Sequence, residues 1–315
     1  MAALYRLQNW SQYNRALVQR GDVTLWISDD AVDAWRYDGP TQHGGQFLYS
    51  GTAIETCLTL RTVYHLPLRQ TQGFTRSLLR LVGADLPVPD YSTLSRRAAD
   101  LDITLTNTAS GDEPRHIVID STGLKVYGEG EWKTRQHGAR KRRTWRKLHL
   151  SLDAETGEIT ATELTDNATD DASQVEPLLD ETLNEGGPIA TVGGDGAYDK
   201  WKCYTAIKEA GAQPVVPPQK NAKIKRHGNT KGPPLPRDEA LRYIRAHGRA
   251  KWKRESGYHR RSLAETAMYR FKQVIGRVLR SRTLAAQRTE ARIGSKVLNT
   301  TLALGRPASY AVAVA

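Results

Sequence analysis

Hydrophobic positions along the chain follow two different periods, and the change falls near residue 114. Before it they recur at helical spacing. In GTAIETCLTLRTVYHL, Ile54, Cys57 and Leu58 share one face while Glu55 and Arg61 lie off it, which predicts a helix. Pro67 breaks that helix. A second helix fits LRQTQGFTRSLLRLVG and stops at Gly83. LPVPD then makes a turn, and Asp90 or Ser92 caps a third helix, YSTLSRRAADL. Helix, short turn and capped Arg-bearing helix read either as a helix-turn-helix or as an ordinary helical bundle.

Beyond residue 114 the period shortens. Ile117, Val118 and Ile119 lead into Asp120 in RHIVIDSTGLKVYG, a β-branched run that predicts a strand. In TWRKLHLSLD, Leu148, Leu150 and Leu152 alternate with Lys147, His149 and Ser151, so a half-buried strand is expected. The turn AETG joins it to EITATEL, the other arm of a hairpin. DDASQVEPLLDETL reads as a helix capped by Asp170, IATVGGDGAYD as a strand running into a glycine-rich turn, and KWKCYTAIKEAG as a helix capped by Asp199 and stopped by Gly211. AQPVVPP is a further short strand, a helix begins at Tyr258, and a last one covers residues 286–303. Three strands, helix, strand, helix, strand, insertion, helix is the order of an α/β, ribonuclease H-like mixed sheet with helices on its faces. The expected division is a helical, DNA-binding region over 1–110 and a ribonuclease H-like domain over 111–315, the latter interrupted at about 219–257 by a stretch rich in Lys, Arg, Gly and Pro with a short helix at 238–247.

Composition narrows the partners. The chain has 315 residues, is 39% hydrophobic and 25% charged, and carries a net charge of +12, which points to a polyanion. No apolar run approaches the roughly 18 residues of a membrane span, and MAALYRLQNWSQYNRA has no secretory pattern, so nucleic acid is favoured over a membrane. Cys57 and Cys203 lack metal-ligand spacing and read as free thiols in a reducing compartment. Basic residues cluster in two stretches: Lys125, Lys133, Arg135, Arg140, Lys141, Arg142, Arg143, Arg146 and Lys147, then Lys220, Lys223, Lys225, Arg226, Lys231 and on to Arg254. They suit phosphate contacts with strong salt dependence. Trp132, Trp145, Trp201 and Trp252 read as core or hinge residues, or as platforms for splayed bases.

Asp120 and Asp195 each end an apolar strand, where a carboxylate is costly unless paired or bound to metal. Either is also a turn former or cap. In YHRRSLAETAMYRFK, the residues Tyr258, Arg261, Glu265 and Lys272 fall within an arc of roughly 60° on one helix. The apolar series Leu263, Ala267, Phe271, Val274 and Val278 marks the core face. The polar face is either simply solvated or a site where Glu265 binds metal while Arg261 and Lys272 hold phosphates. Metal-dependent phosphodiester cleavage needs such converging carboxylates around two hard cations about 4 Å apart.

The spacing Tyr258, Arg261, Glu265, Lys272 matches the Y-R-E-K signature of bacterial DDE transposases at every position. The stretches YRLQNWSQYNRALVQRGDVTLWIS, VPDYSTLSRRAADL, VIDSTGLKVYGEGEW, RKLHLSLDAETGEI and GDGAYD resemble transposases of the insertion-sequence-five family, so that essentially the whole chain is covered. The resemblance implies that Asp120, Asp195 and Glu265 bind two Mg2+ ions, with Mn2+ as a substitute, and that Tyr258, Arg261 and Lys272 touch transposon-end DNA. It implies cleavage at the inverted repeats of an insertion sequence and strand transfer into target DNA, by a homodimer on DNA. A ribonuclease H-like nuclease without strand transfer and a non-catalytic DNA-binding relic are the alternatives.

Overall fold

The computed structural model describes residues 4–41, 44–105, 113–127, 145–184, 186–226, 232 and 234–312. The chain opens with a short strand, β1 (Leu4–Leu7), then α1 (Trp10–Gln19), α2 (Asp29–Asp33), α3 (Gly51–Val63), α4 (Leu68–Leu81) and α5 (Tyr91–Arg97). Side-chain caps fix where the helices start. Ser50 Oγ accepts the Ala53 amide at 3.0 Å, and Asp90 accepts those of Ser92 at 2.7 Å and Thr93 at 3.0 Å. Asp90, not Ser92, is thus the cap of α5.

Two expectations for this region fail. It is not wholly helical, because β1 pairs antiparallel with the last strand of the chain, Ser309–Val312. The connection from α4 to α5 is not a short turn either; it runs from Val82 to Asp90, held down where Leu86 and Val88 pack into the core and Trp35 donates Nε1–H to the Pro87 carbonyl at 2.8 Å. The short turn lies one helix earlier, at Tyr64–Pro67 between α3 and α4.

The second half contains β2 (Arg115–Val126), β3 (Trp145–Asp153), β4 (Ile159–Asp166), α6 (Val175–Asn184), β5 (Ile189–Gly193), α7 (Trp201–Glu209) and β6 (Gln213–Val215). Then come α8 (Pro236–His247), α9 (Arg249–Glu255), α10 (Ser262–Val274), β7 (Val278–Leu279), α11 (Leu284–Ala303) and the closing strand β8 (Ser309–Val312). The sheet order is β4-β3-β2-β5-β6, with β7 added to the far end of β2. Pairings β4–β3 and β3–β2 are antiparallel, whereas β2–β5 and β5–β6 are parallel. This is the mixed, ribonuclease H-like sheet that the order of elements implied. Alternation along β2 builds both layers: Ile117 and Ile119 face α6 and α7 with Leu178 and Ile207, while Val118 and Leu124 face α10 and α11 with Phe271 and Leu298.

β3 is not half-buried. His149 and Ser151 on its polar side are 0% exposed. A hydroxyl cluster accommodates that side, since Ser151 and Thr160 each bond Thr182 of α6, at 3.0 and 2.9 Å. The expected caps at Asp170 and Asp199 are also corrected. Neither carboxylate accepts an amide of its helix; side-chain donors hold both instead. Asp170 takes Lys200 Nζ at 2.5 Å and also Lys202, and Asp199 takes Arg237 Nε at 2.6 Å and Tyr204 Oη at 2.9 Å.

One helix belongs to both halves. Ile293 and Val297 of α11 pack with Ile54 and Leu60, and Leu298 packs with Leu148 and Leu150. Lys296 pairs with Glu55 of α3 at 2.5 Å, Arg292 Nε donates to the Ile103 carbonyl at 3.1 Å, and Asn299 Nδ2 donates to the Ile159 carbonyl at 2.8 Å. Among the described residues no helix is long and apolar enough to cross a membrane. Cys57 and Cys203 are buried free thiols, the former pushed up to about 12 by burial.

Candidate active site

Strand register sets the first two carboxylates side by side. β2 and β5 run parallel with Val118 opposite Gly193, so two residues further along each chain come Asp120 and Asp195. Asp120 is still paired within the sheet, opposite Leu150. Asp195 ends its strand as the cap of a single 3-10 turn, Gly196–Tyr198, accepting the Ala197 amide at 2.8 Å. A Cβ on Gly194 would meet the Tyr198 ring at 3.0 Å, so the glycine lets that ring pack beneath the turn.

The third carboxylate arrives on α10. Its buried face is Ala264, Ala267, Met268 and Phe271, not the series expected from sequence: Leu263 is half-buried, and Val274 and Val278 are 40% and 39% exposed. Small residues at 264 and 267 bring the helix close to the sheet, and that turns Glu265 outward beside the strand ends. The helix is also shorter than expected. Tyr258–Arg261 form a separate 3-10 turn and α10 begins at Ser262, so Tyr258 does not share a continuous helical face with Glu265. Gly257, at φ 73°, separates that turn from α9 before it.

Arg261 stands between two of the acids. Its Nη1 lies 3.6 Å from Asp120 Oδ2, and its Nη2 donates to Glu265 Oε1. Lys272 donates Nζ–H to Thr122 Oγ1 at 2.5 Å, two residues along β2 from Asp120. Burial pushes Asp120 above the usual carboxylate range; the Ser121 amide and Arg261 pull it down, and the negative charges of Asp195 and Glu265 push it further up. Tyr258 lies near the cations instead of the acids, with Lys253 Nζ 4.9 Å and the Arg261 guanidinium 6.0 Å from its ring centroid. A cleft of about 230 Å³ opens beside Arg261, between His116 and Thr191 of the sheet and Tyr258 and Arg260 of the turn.

Sequence reasoning missed the groups behind Asp120. His149 sits opposite Ser121, bonds Thr165 Oγ1 through Nε2 at 2.9 Å, and has Asp171 3.8 Å from Nδ1. Burial brings it down to about 4. Lys147 completes the set, 3.1 Å from Asp171. Only the alternation of Lys147 and His149 hinted at it, and that pattern reads as a solvated strand face. Of the tryptophans, Trp252 is buried, while Trp145 and Trp201 are each 36% exposed beneath cations. Lys125 lies 5.8 Å from the Trp145 ring, and Lys225 and Arg237 lie 4.6 and 5.2 Å from that of Trp201. Trp132, Lys133, Arg135, Arg140, Lys141, Arg142, Arg143 and Lys231 lie outside the described residues.

The donor set suits hard cations. All three acids offer oxygen, and one guanidinium faces them, so ionised they leave uncompensated negative charge at the strand ends. Among the described residues, no three ligating groups gather tightly enough to enclose a single ion. Oxygen donors of this kind are those that hard cations take, one or two carboxylates to an ion.

A family model described as a transposase DDE domain matches residues 111–302, more than half of the chain, and a second of the same description matches residues 18–129. The chain belongs to the DDE transposase family. It is an enzyme of DNA transposition, and divalent metal ions are the general requirement of that family. The transposase also has slight likeness to solved DNA-recombination assemblies. These are a piggyBac transposase synaptic complex with hairpin DNA (12% identity, 91% of this chain and 75% of that one, TM-score 0.36) and a Drosophila P element transposase strand transfer complex (13%, 93% and 64%, TM-score 0.28). A simian T-cell lymphotropic virus intasome with a PP2A regulatory subunit is a third (12%, 66% and 69%, TM-score 0.24). The chain thus spans just under two thirds of the P element chain. The ribonuclease H-like character rests on the strand order described above, to which such low scores add no weight.

Proposed function

We propose that this transposase belongs to the insertion-sequence-five group, with Tyr258, Arg261, Glu265 and Lys272 as its Y-R-E-K residues, and that it cleaves the ends of its insertion sequence and joins them to target DNA. Asp120, Asp195 and Glu265 would hold two Mg2+ ions, replaceable by Mn2+. Bound there, the ions supply Lewis-acid stabilisation of the attacking and leaving oxygens. The observation that carries this reading is the shared guanidinium. Arg261 reaches both Asp120 and Glu265, and burial with two neighbouring negative charges raises Asp120. That is a carboxylate set short of positive charge at a strand-end crossing.

Arg261 is close enough to the acids to leave Glu265 for an incoming phosphate once cations neutralise the carboxylates. Lys272 steadies Thr122 beside Asp120 and offers a point charge to the neighbouring phosphate. Water would attack the phosphorus at the element end and the element's 3′ oxygen would leave as a 3′-OH, with the phosphate kept on the 5′ end of the flanking strand; that hydroxyl would then attack a phosphorus of target DNA, joining to the target's 5′ end and releasing a target 3′-OH. The helical region over 1–110 would hold the inverted repeats. Two ends call for two copies, hence a homodimer on DNA, acting in the cytoplasm at the nucleoid. Incubation with a duplex of the element's own ends and Mg2+, with products mapped to the nucleotide, tests the reading. Asp120→Asn, Asp195→Asn and Glu265→Gln should each abolish nicking and strand transfer while leaving end binding intact. A Glu265→Gln protein that cleaves at near-normal rate overturns the assignment.

A further inference from the structure

The outer face of α4 has a composition that folding does not explain. At about 100° per residue, Arg69, Gly73, Arg76 and Arg80 fall within about 60° of one another, with Gln70 and Ser77 along one side. All six are exposed. The helix contains no Asp or Glu, and Arg76 and Arg80 have no ion pair among the described residues. The inner face is ordinary core: Thr71, Thr75, Leu78 and Leu79 are buried, and Phe74 stacks against Tyr64 with ring centroids 5.2 Å apart.

Gly73 is the second observation. It sits mid-helix, where glycine is the least favourable residue after proline. A Cβ there would meet nothing within 4 Å, so packing inside the protein does not require its absence. A glycine on the open side of a helix fits close approach by something outside the chain.

The surroundings hold this face out. The turn from α3 to α4 is four residues, Tyr64–Pro67, with His65 at φ 53°, the one non-glycine residue of positive φ among those described. Arg280 donates Nη1–H to the His65 carbonyl at 2.6 Å and pins the turn. Arg69 lies 4.3 Å over the Tyr91 ring of α5, and Gln72 accepts the Tyr91 amide at 3.3 Å. α3 packs behind, so α3 and α4 are two helices joined by a four-residue turn, with the outer face of the second left exposed.

We propose that α4 is the recognition helix of this protein, inserted in the major groove of duplex DNA at the element's terminal repeat. This rests on the transposase reading above and names the segment that selects the end. A helix about 21 Å long and 10–12 Å across fits a groove about 12 Å wide. Arg76 and Gln70 have the chemistry for guanine and adenine edges respectively, Arg69 and Arg80 reach flanking phosphates, and Gly73 lets the backbone settle between them. The site assigned to the earlier turn thereby replaces the α4–α5 pair suggested by sequence.

The test uses the full chain and two duplexes of equal length, one carrying the terminal repeat and one scrambled, followed by fluorescence anisotropy without divalent metal. Arg76→Ala should lower the preference for the repeat by about tenfold while changing affinity for the scrambled duplex by less than threefold. Gly73→Leu should abolish the preference, with a melting temperature equal to or above the wild type because leucine favours a helix and meets open space. A wild-type preference that both variants retain would overturn this proposal alone. A wild-type protein with no preference for the repeat would overturn the functional reading, and this proposal with it.

Discussion

The strand-end site and the outer face of α4 are built on opposite electrostatic plans. At the strand ends, acids are brought together where burial already works against Asp120, and Arg261 is the counter-charge it shares with Glu265. On α4, cations are spread along an exposed face with no acid on the helix. The first arrangement is costly without its ligands and therefore needs a rigid scaffold: a central strand, a capped turn and a helix pinned by Phe271. The second costs little because water solvates it, so a fourteen-residue helix and a short turn suffice. Charge that must be concentrated is carried by the sheet, and charge that need only be displayed is carried by a helix.

After the carboxylates themselves, the largest expected effect comes from removing the counter-charge that Asp120 and Glu265 share. Arg261→Ala should slow single-turnover cleavage of an end duplex at saturating DNA by on the order of 10²-fold, because orientation of the reacting phosphate is lost along with the cation. Lys272→Ala should also slow it, with Lys272→Arg milder but not neutral, since the charge is kept while a planar fork replaces the point charge that bonds Thr122. Unchanged rates in both alanine variants would mean that this face is merely solvated.

A smaller effect concerns the cost of concentrating acid. Asp120 is raised, chiefly by burial, so the folded protein holds that proton more tightly than the unfolded chain. Stability from this group is therefore present at low pH and lost as pH rises from the ordinary carboxylate range through the raised value. In metal-free buffer at pH 7, Asp120→Asn should raise the melting temperature, because the variant no longer carries that charge against burial. Mg2+ should stabilise the wild type and do less for the variant. A variant that melts lower than the wild type without metal would contradict the electrostatic account.

The smallest effect separates the two plans by salt. Arg80→Ala should reduce the slope of log affinity against log salt for scrambled duplex by about 0.9, the contribution of one phosphate contact. Glu265→Gln should leave that slope unchanged. Equal changes in both would show that the two regions do not divide the work.

Much of the catalytic half was legible because its signals are local. Apolar alternation in Ile117–Ile119 and Leu148–Leu152, the turn at Gly157 and the spacing of Arg261, Glu265 and Lys272 each need only a short window. What failed depended on partners distant in sequence. Asp199 looks like a cap until Arg237 and Tyr204 take its carboxylate. His149 looks solvated until α6 and Asp171 cover it. Tyr258 reads as the start of a helix because periodicity does not distinguish the tighter 3-10 turn of Tyr258–Arg261 from the α-helix that follows it. The helix-turn-helix was sought one helix too late for a related reason. LPVPD and Gly83 together mark a long turn before a capped, Arg-bearing helix and drew the motif there, whereas Pro67 marks only a helix end at the tighter turn around His65.

α11 packs on α3 with one side and on the sheet with the other, tied by Lys296 to Glu55, by Arg292 to Ile103 and by Asn299 to Ile159. A helix fixed at both sides acts as a measuring rod. With α4 seated on its bases, the distance to the strand ends is set by side chains already packed in the core and not by a linker able to stretch. The transposase would then count base pairs as well as read them, and moving the recognised bases along the duplex would move the scissile phosphate with them, step for step.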